Sequence, residues 1–290
     1  MLRVVLPKGS LEKATMELFE AADLTVLRSS AVQYSATIDD PRVAEVRILR
    51  PQEIPMYVAE GLFDIGITGR DWVEETGSEV VSLGQLEYSK ATSNPIKVVV
   101  AVADDDMVKT IADLSYGVRV SSEYPELSRR YFEEHGIKAD VRLSYGASEA
   151  KIPDIADAVV DITETGRALR AAGLRVIDTI LESYTEVIAN PVAHADPTKR
   201  KAMDQLMVLL RGALDARGKV LLKLNVSEAH YESVLEVLPS AKSPTIGKLA
   251  NGGYAIETVV DKSTINLIIP AVRDAGATDL LELPISKIVP

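Results

Sequence analysis

The stretch Ala156-Asp-Ala-Val-Val-Asp-Ile-Thr-Glu-Thr-Gly-Arg-Ala-Leu169 constrains this chain more than any other. An apolar run ends abruptly in small, polar and glycine residues, and helical spacing then resumes, which describes a strand, a tight loop and a helix start. Such a loop turns successive backbone N–H groups toward one anion, and the following helix adds the positive end of its dipole. The expected ligand is a phosphate. Asp157 and Asp161, just ahead of the loop, are placed to reach sugar hydroxyls or a bound magnesium, so the pattern suggests a sugar phosphate. An ordinary strand-to-helix turn capped by threonine is the competing reading.

An anionic ligand has to be held by local donors here, because the formal charge of the chain is −11. The same charge argues against non-specific nucleic-acid binding. There are no cysteines, which excludes disulfides, thiolate zinc sites and a cysteine nucleophile. No apolar run approaches the length of a membrane span, and Met1–Leu6 passes into Pro7-Lys8-Gly9 without a signal-peptide pattern, so a soluble, cytoplasmic protein is expected. At 290 residues, two or three domains are expected.

In chain order, Leu2 to Leu6 reads as a buried strand, followed by Pro7-Lys8-Gly9-Ser10 and a helix with Leu11, Ala14, Thr15, Leu18, Phe19 and Ala22 on one face. Lys8 supplies charge, Gly9 permits close backbone approach and Ser10 reads as an N-cap, so a phosphate or nucleobase fits there as well as mere punctuation does. Arg50 ends a strand before Pro51 and a helix over 52–60. In an open α/β sheet that edge binds ligands, the alternative being a surface pair with Glu53. The stretch from Gly61 to Asp71 contains a strand interrupted by Gly66 and Gly69, where something approaches the backbone closely. Asp71 reads as the N-cap of the next helix and Trp72 as core.

Tyr88 to Pro95 reads as a first crossing between two lobes. Asp104-Asp105-Asp106 reads as a loop and helix start. Ser121, Ser122 and Glu123 end a further strand, and Gly146 to Glu149 is expected to begin a helix. Tyr184 to Ala189 reads as the return crossing, so two α/β lobes form a clamshell. From Gly218 the order is strand, helix, strand, the turn Asn251-Gly252-Gly253, strand, helix, strand. This βαββαβ series is a ferredoxin-like domain, often regulatory, with a structural or dimerising role as the alternative.

The set Lys8-Gly9, Arg50-Pro51, Asp64-Ile-Gly-Ile-Thr-Gly-Arg-Asp71, Glu123-Tyr124-Pro125, Asp161-Ile-Thr-Glu-Thr-Gly-Arg-Ala-Leu169 and Ser243-Pro-Thr-Ile246 resembles ATP phosphoribosyltransferase of the long form, in order over nearly the whole chain. The resemblance implies an α/β fold, with a two-lobed, periplasmic-binding-protein-like (type II) catalytic core and a C-terminal ferredoxin-like (ACT-like) domain that senses histidine. It implies lobe I over 1–92 plus 184–215, lobe II over 93–183 and the regulatory domain over 216–290. The implied activity is the first step of histidine biosynthesis, on ATP and phosphoribosyl pyrophosphate, with Mg2+ required, in a homo-oligomer for which the family implies both dimer and hexamer.

On these positions the resemblance places the 5-phosphate on the backbone of Glu164, Thr165, Gly166, Arg167, Ala168 and Leu169, with Asp161 on the ribose side and Thr163 beside it. Lys8, Gly9, Arg50 and Asp71 would line the facing lobe near pyrophosphate and ATP, with Thr68, Gly69, Glu123 and Tyr124 completing the site. Asn225, Ser243 and Thr245 match the histidine-binding positions. Ser10 stands where the family often has arginine, and Ala168 where threonine is common, which removes one hydroxyl donor.

The residue inventory suits this chemistry. Adenine N1 carries a lone pair and no proton, so its attack on the anomeric carbon needs positioning and charge neutralisation rather than a base. His135, His194 and His230 fall outside every motif and read as surface or packing residues. A non-catalytic clamshell receptor and a phosphoribosyltransferase for another base are the alternatives.

Overall fold

The computed structural model describes residues 1–30, 33–88, 95–239, 243–250 and 252–290. The expected first crossing over 88–95 and the residue Asn251 of the expected hairpin turn therefore lie largely outside the described residues. The chain packs as two compact units, Met1–Met207 and Val208–Pro290.

The first unit begins with β1 (Leu2–Pro7), α1 (Glu12–Ala21), β2 (Val26–Leu27), β3 (Ser35–Ile38), β4 (Val43–Leu49), α2 (Ile54–Ala59), β5 (Ile65–Gly69), α3 (Arg70–Thr76) and β6 (Val81–Gln85). It continues with β7 (Ile96–Ala103), β8 (Val118–Ser122), α4 (Pro125–Glu134), β9 (Ala139–Leu143), β10 (Ala158–Thr163), α5 (Arg167–Ala171) and β11 (Leu174–Ser183). It returns through β12 (Thr185–Ala189) and α6 (Pro191–Ala195) into the long helix α7 (Pro197–Ala216). Two sheets result. One has the order β2-β3-β4-β1-β5-β12-β6 and the other β11-β7-β10-β8-β9.

The central strands are covered on both faces, which is why they read as unbroken apolar runs. Val98 to Val102 on β7 are each at most 1% exposed. Each valine among them contributes roughly 1.5–3 kcal/mol of burial free energy.

Parallel pairing decides what meets at the strand ends. β1 pairs in parallel with β4, Pro7 opposite Leu49, and also with β5. Lys8, Arg50 and the start of α3 therefore emerge at one edge. In the second sheet β8 and β10 are parallel, Ser122 opposite Val160, which sets Glu123 beside Asp161.

Several local expectations are corrected. Ser10 does not cap: residues Gly9–Leu11 form a 3-10 turn with no side-chain cap bond. Gly69, in extended backbone, is the N-cap position of α3, and Asp71 lies inside the helix. No α-helix follows Asp104–Asp106; a 3-10 turn over Ile111–Asp113 does, closed by a Thr110–Asp113 capping box. The helix expected from Gly146 is only the 3-10 turn Ser148–Lys151. At Gly66 it is helix α2 that approaches the backbone: an added Cβ would lie 2.7 Å from Ile54 and 2.9 Å from Val58.

The second unit holds β13 (Lys219–Val226), α8 (Tyr231–Val237), β14 (Thr245–Lys248), β15 (Tyr254–Asp261), α9 (Ile265–Asp274) and β16 (Ala277–Pro284). Its sheet order is β14-β15-β13-β16, all pairs antiparallel. That is the ferredoxin-like arrangement, reached because two helices cover a single face. Val220, Leu222, Leu224, Val226, Ile256 and Val260 point into that core with Val234, Ile268 and Val272. The alternation then puts Asn225 on the opposite face, in line with Ala255 and Gly247, the same side as Thr245.

Candidate active site

A cleft of about 1150 Å³ opens in the first unit. Single-ligand pockets run to roughly 300–1,000 Å³, so this one has room for two substrates. Of the residues singled out in the sequence, Gly69, Asp71, Glu123, Tyr124, Thr163, Glu164, Thr165, Arg167 and Ala168 line it together.

The loop after β10 is shaped by its own side chains. The Gly166 N–H donates to Thr163 Oγ1 at 2.7 Å, and Gly166 sits at φ +70°, where a glycine is at ease. Arg170 reaches back one turn and donates to the Thr165 carbonyl at 2.9 Å. Among the described residues no acceptor is paired with the N–H groups of Thr165, Arg167 or Ala168. These are the free donors an anion cradle needs. The dipole expected behind them is small, because α5 has only five residues.

Asp157 does not belong to this cradle. It precedes β10 at the end away from the loop, roughly 20 Å along a six-residue strand. There it takes the Arg119 backbone N–H at 2.9 Å and the guanidinium at 2.6 Å, which holds its carboxyl below the usual range. Glu123 lines the cleft, and Asp161 stands beside it on β10 without being part of the lining. Glu123 is raised by desolvation and then by the charge of Asp161 beside it, with Lys151 partly opposing this.

On the facing edge, Lys8 places its ammonium 4.0 Å from the ring centre of Tyr34, and the Gly9 N–H donates to Glu12 at 3.3 Å. Arg50 is exposed, and among the described residues neither Glu53 nor another carboxylate pairs with it. Thr68 and Leu169 turn inward. Thr68 is fully buried and donates to the Pro51 carbonyl at 2.8 Å, and Leu169 is in the core with Val159 and Leu174.

The carboxylate of Asp71 is also enclosed. Tyr124 donates to its Oδ2 at 2.7 Å and Ser183 to its Oδ1 at 2.6 Å. Burial raises the pKa of Asp71 above its ordinary value despite these bonds, and burial together with Asp71 pushes the Tyr124 hydroxyl well up.

Sequence reasoning missed Trp72, Ser183 and Tyr184, all of which line the cleft. Trp72 stacks on Tyr124 with ring centres 4.5 Å apart, so its place in the wall depends on a residue from the other sheet. The histidines stay outside, as expected: His135 packs on Tyr131 and His230 bonds Ser227.

The sequence profile of ATP phosphoribosyltransferase matches residues 50–212, and that of the HisG C-terminal domain matches residues 216–287. The chain belongs to the long-form ATP phosphoribosyltransferase family. An ATP phosphoribosyltransferase of Pelotomaculum thermopropionicum is 44% identical over all of this chain and 99% of its own length. One of Desulforudis audaxviator is 43% identical with the same coverage. Among solved structures, the ATP phosphoribosyl transferase (HisG:HisZ) complex from Thermotoga maritima superposes with a TM-score of 0.62 at 26% identity, over 72% of this chain and 96% of that one. The two-lobed core and the ferredoxin-like domain of this phosphoribosyltransferase family member are thus those expected from its motifs.

Proposed function

We propose that this chain transfers the 5-phosphoribosyl group of phosphoribosyl pyrophosphate to N1 of ATP, releasing pyrophosphate, as the first step of histidine biosynthesis. The observation that carries this is the Thr163–Ala168 loop, with free N–H donors, opening on a two-substrate cleft in a chain of this family.

The N–H groups of Thr165, Arg167 and Ala168 hold the 5-phosphate. Asp161 faces the ribose hydroxyls, and Lys8, Gly9 and Arg50 face the pyrophosphate from the other edge. In the transfer, the N1 lone pair forms a bond to the anomeric carbon as the bond from that carbon to pyrophosphate oxygen breaks. Adenine N1 has no proton to lose, so no general base is required. The protein's contribution is alignment of two anionic substrates and cationic stabilisation of the leaving group by Lys8 and Arg50.

The divalent ion this family needs is assigned as magnesium. Among the described residues no group of three or more His, Asp or Glu side chains could hold a metal. Magnesium is commonly held by one or two carboxylates plus substrate phosphates, and Glu123 beside Asp161 supplies that pair. When bound it neutralises pyrophosphate charge.

The catalytic lobes span 1–92 plus 184–215 and 93–183, and the regulatory domain spans 216–290. Histidine binds that last domain at Asn225, Ser243 and Thr245, and the enzyme works in the cytoplasm as a homo-oligomer. Asn225 Nδ2 donates to Asp279 at 2.9 Å on the sheet face that helices leave open, a polar site able to hold an amino acid. Among the described residues no helix is long and apolar enough to cross a membrane.

Protein mixed with ATP, phosphoribosyl pyrophosphate and magnesium should release pyrophosphate, and no release under any condition overturns the assignment. Histidine should inhibit that release in the parent chain. In Asn225→Ala the inhibition should weaken at least tenfold with the uninhibited rate kept, corresponding to about 1.4 kcal/mol of lost binding.

A further inference from the structure

Asp71 is enclosed in a way that a substrate ligand is not. It is 2% exposed, as is Tyr124, and Ser183 is 1% exposed. Both carboxylate oxygens accept hydroxyl donors, and the Asp71 N–H donates to Ser183 Oγ at 2.9 Å, closing a ring between the two residues. The carboxylate folds back against the backbone of β5. A Cβ added to Gly69 would lie 2.1 Å from Asp71 Oδ1. Gly69 therefore leaves room for Asp71 rather than for a ligand.

The three partners come from three parts of the fold. Asp71 stands on α3, after a strand of the seven-stranded sheet. Tyr124 precedes α4 in the five-stranded sheet, and Ser183 ends β11 where the chain crosses back. Tyr124 is held from its own side as well: its N–H donates to Ser122 Oγ at 2.9 Å and its carbonyl accepts from Ser128 at 2.6 Å. One turn further along α3, Glu75 takes the N–H groups of Glu126 and Leu127 at 3.1 and 2.8 Å, so it caps α4 from the other lobe. The two helices are joined at two successive turns, and the joint carries the Trp72–Tyr124 wall of the cleft.

We propose that Asp71 is a positioning residue: through Tyr124 and Ser183 it fixes the two lobes against each other and holds the aromatic wall of the cleft, without itself touching either substrate. This rests on the cleft being the site for ATP and phosphoribosyl pyrophosphate. It assigns a role that motif position alone would give to substrate contact.

The test is a double-mutant cycle of Asp71→Asn and Tyr124→Phe, read by steady-state kinetics and by the emission of Trp72, the only tryptophan in the chain. Each single substitution should lower kcat/KM by about tenfold, the double should be no worse than the worse single within about threefold, and both singles should shift Trp72 emission in the same direction. Gly69→Ala, which leaves the charge of Asp71 untouched but occupies its space, should reproduce the shift. A double variant whose loss is the product of the singles, or an Asp71→Asn protein with unchanged emission and a kcat loss above about 100-fold, overturns the proposal in favour of direct contact. If the parent protein releases no pyrophosphate, the functional assignment has failed, and the emission changes alone decide whether the joint exists.

Discussion

Gly166→Val is expected to raise the KM for phosphoribosyl pyrophosphate by roughly 5- to 140-fold, since strain of about 1–3 kcal/mol at a left-handed position converts to that range at 1.4 kcal/mol per tenfold. Gly166 sits at φ +70°, which a β-branched side chain adopts only under strain. Its Cβ would also fall 2.7 Å from Arg170 Nη1, on the guanidinium whose Nη2 donates to the Thr165 carbonyl. Arg170 can swing away, but the loop then loses that support as well as its shape. The free N–H groups of Thr165, Arg167 and Ala168 would no longer converge. The KM for ATP should stay within about twofold, because the lost contacts are those of the ribose 5-phosphate. The melting temperature should fall by a few degrees, because strain of about 1–3 kcal/mol in the folded loop is relieved on unfolding. Steady-state kinetics with each substrate varied in turn checks this, and equal rises in both KM values would show that the loop does not hold the phosphoribosyl group.

Asp64→Asn is expected to destabilise the first unit by about 3 kcal/mol at neutral pH, in the range for breaking a buried charge pair. Asp64 is 1% exposed and accepts the Arg3 N–H at 2.8 Å, the Arg3 guanidinium at 3.0 Å and the Lys199 ammonium at 2.9 Å. Burial alone would raise its pKa, but the bonds from Arg3 and Lys199 outweigh that and lower it. The folded state thus releases this proton more readily than the unfolded chain does. The stabilisation is fully present above the unfolded value near 3.8 and is lost as pH falls through the lower folded value. Asp71, raised by burial, has the opposite sign and stabilises less as pH rises from 3.8 through its folded value. Urea unfolding followed by Trp72 fluorescence should show the gap between parent and Asp64→Asn shrinking in acid. A gap independent of pH would mean that shape rather than charge is what Asn fails to supply.

The phosphate loop was legible because everything that makes it is local: an apolar strand, small polar residues and a glycine within fourteen positions. The βαββαβ unit was legible because its periods alternate and a glycine turn separates its central strands. Asp157 and Asp161 looked alike from sequence, four residues apart in one strand segment. They differ because Arg119, 38 residues away, holds the first at the far end of β10. Gly66 and Gly69 announced close approach correctly, but not what approaches, which is helix α2 at one and the Asp71 carboxylate at the other.

Local patterning by itself determined most of the elements, the loop, the ferredoxin-like unit and the family, since periodicity and short motifs reside in neighbouring residues. Only the tertiary structure decided which side chains face the cleft and which are spent holding it. Tyr124 lies 53 residues from Asp71 and Ser183 lies 112, and hydrogen bonds at such separations exist only after two sheets have packed. Whether a carboxylate meets substrate or hydroxyls of its own chain depends on that packing.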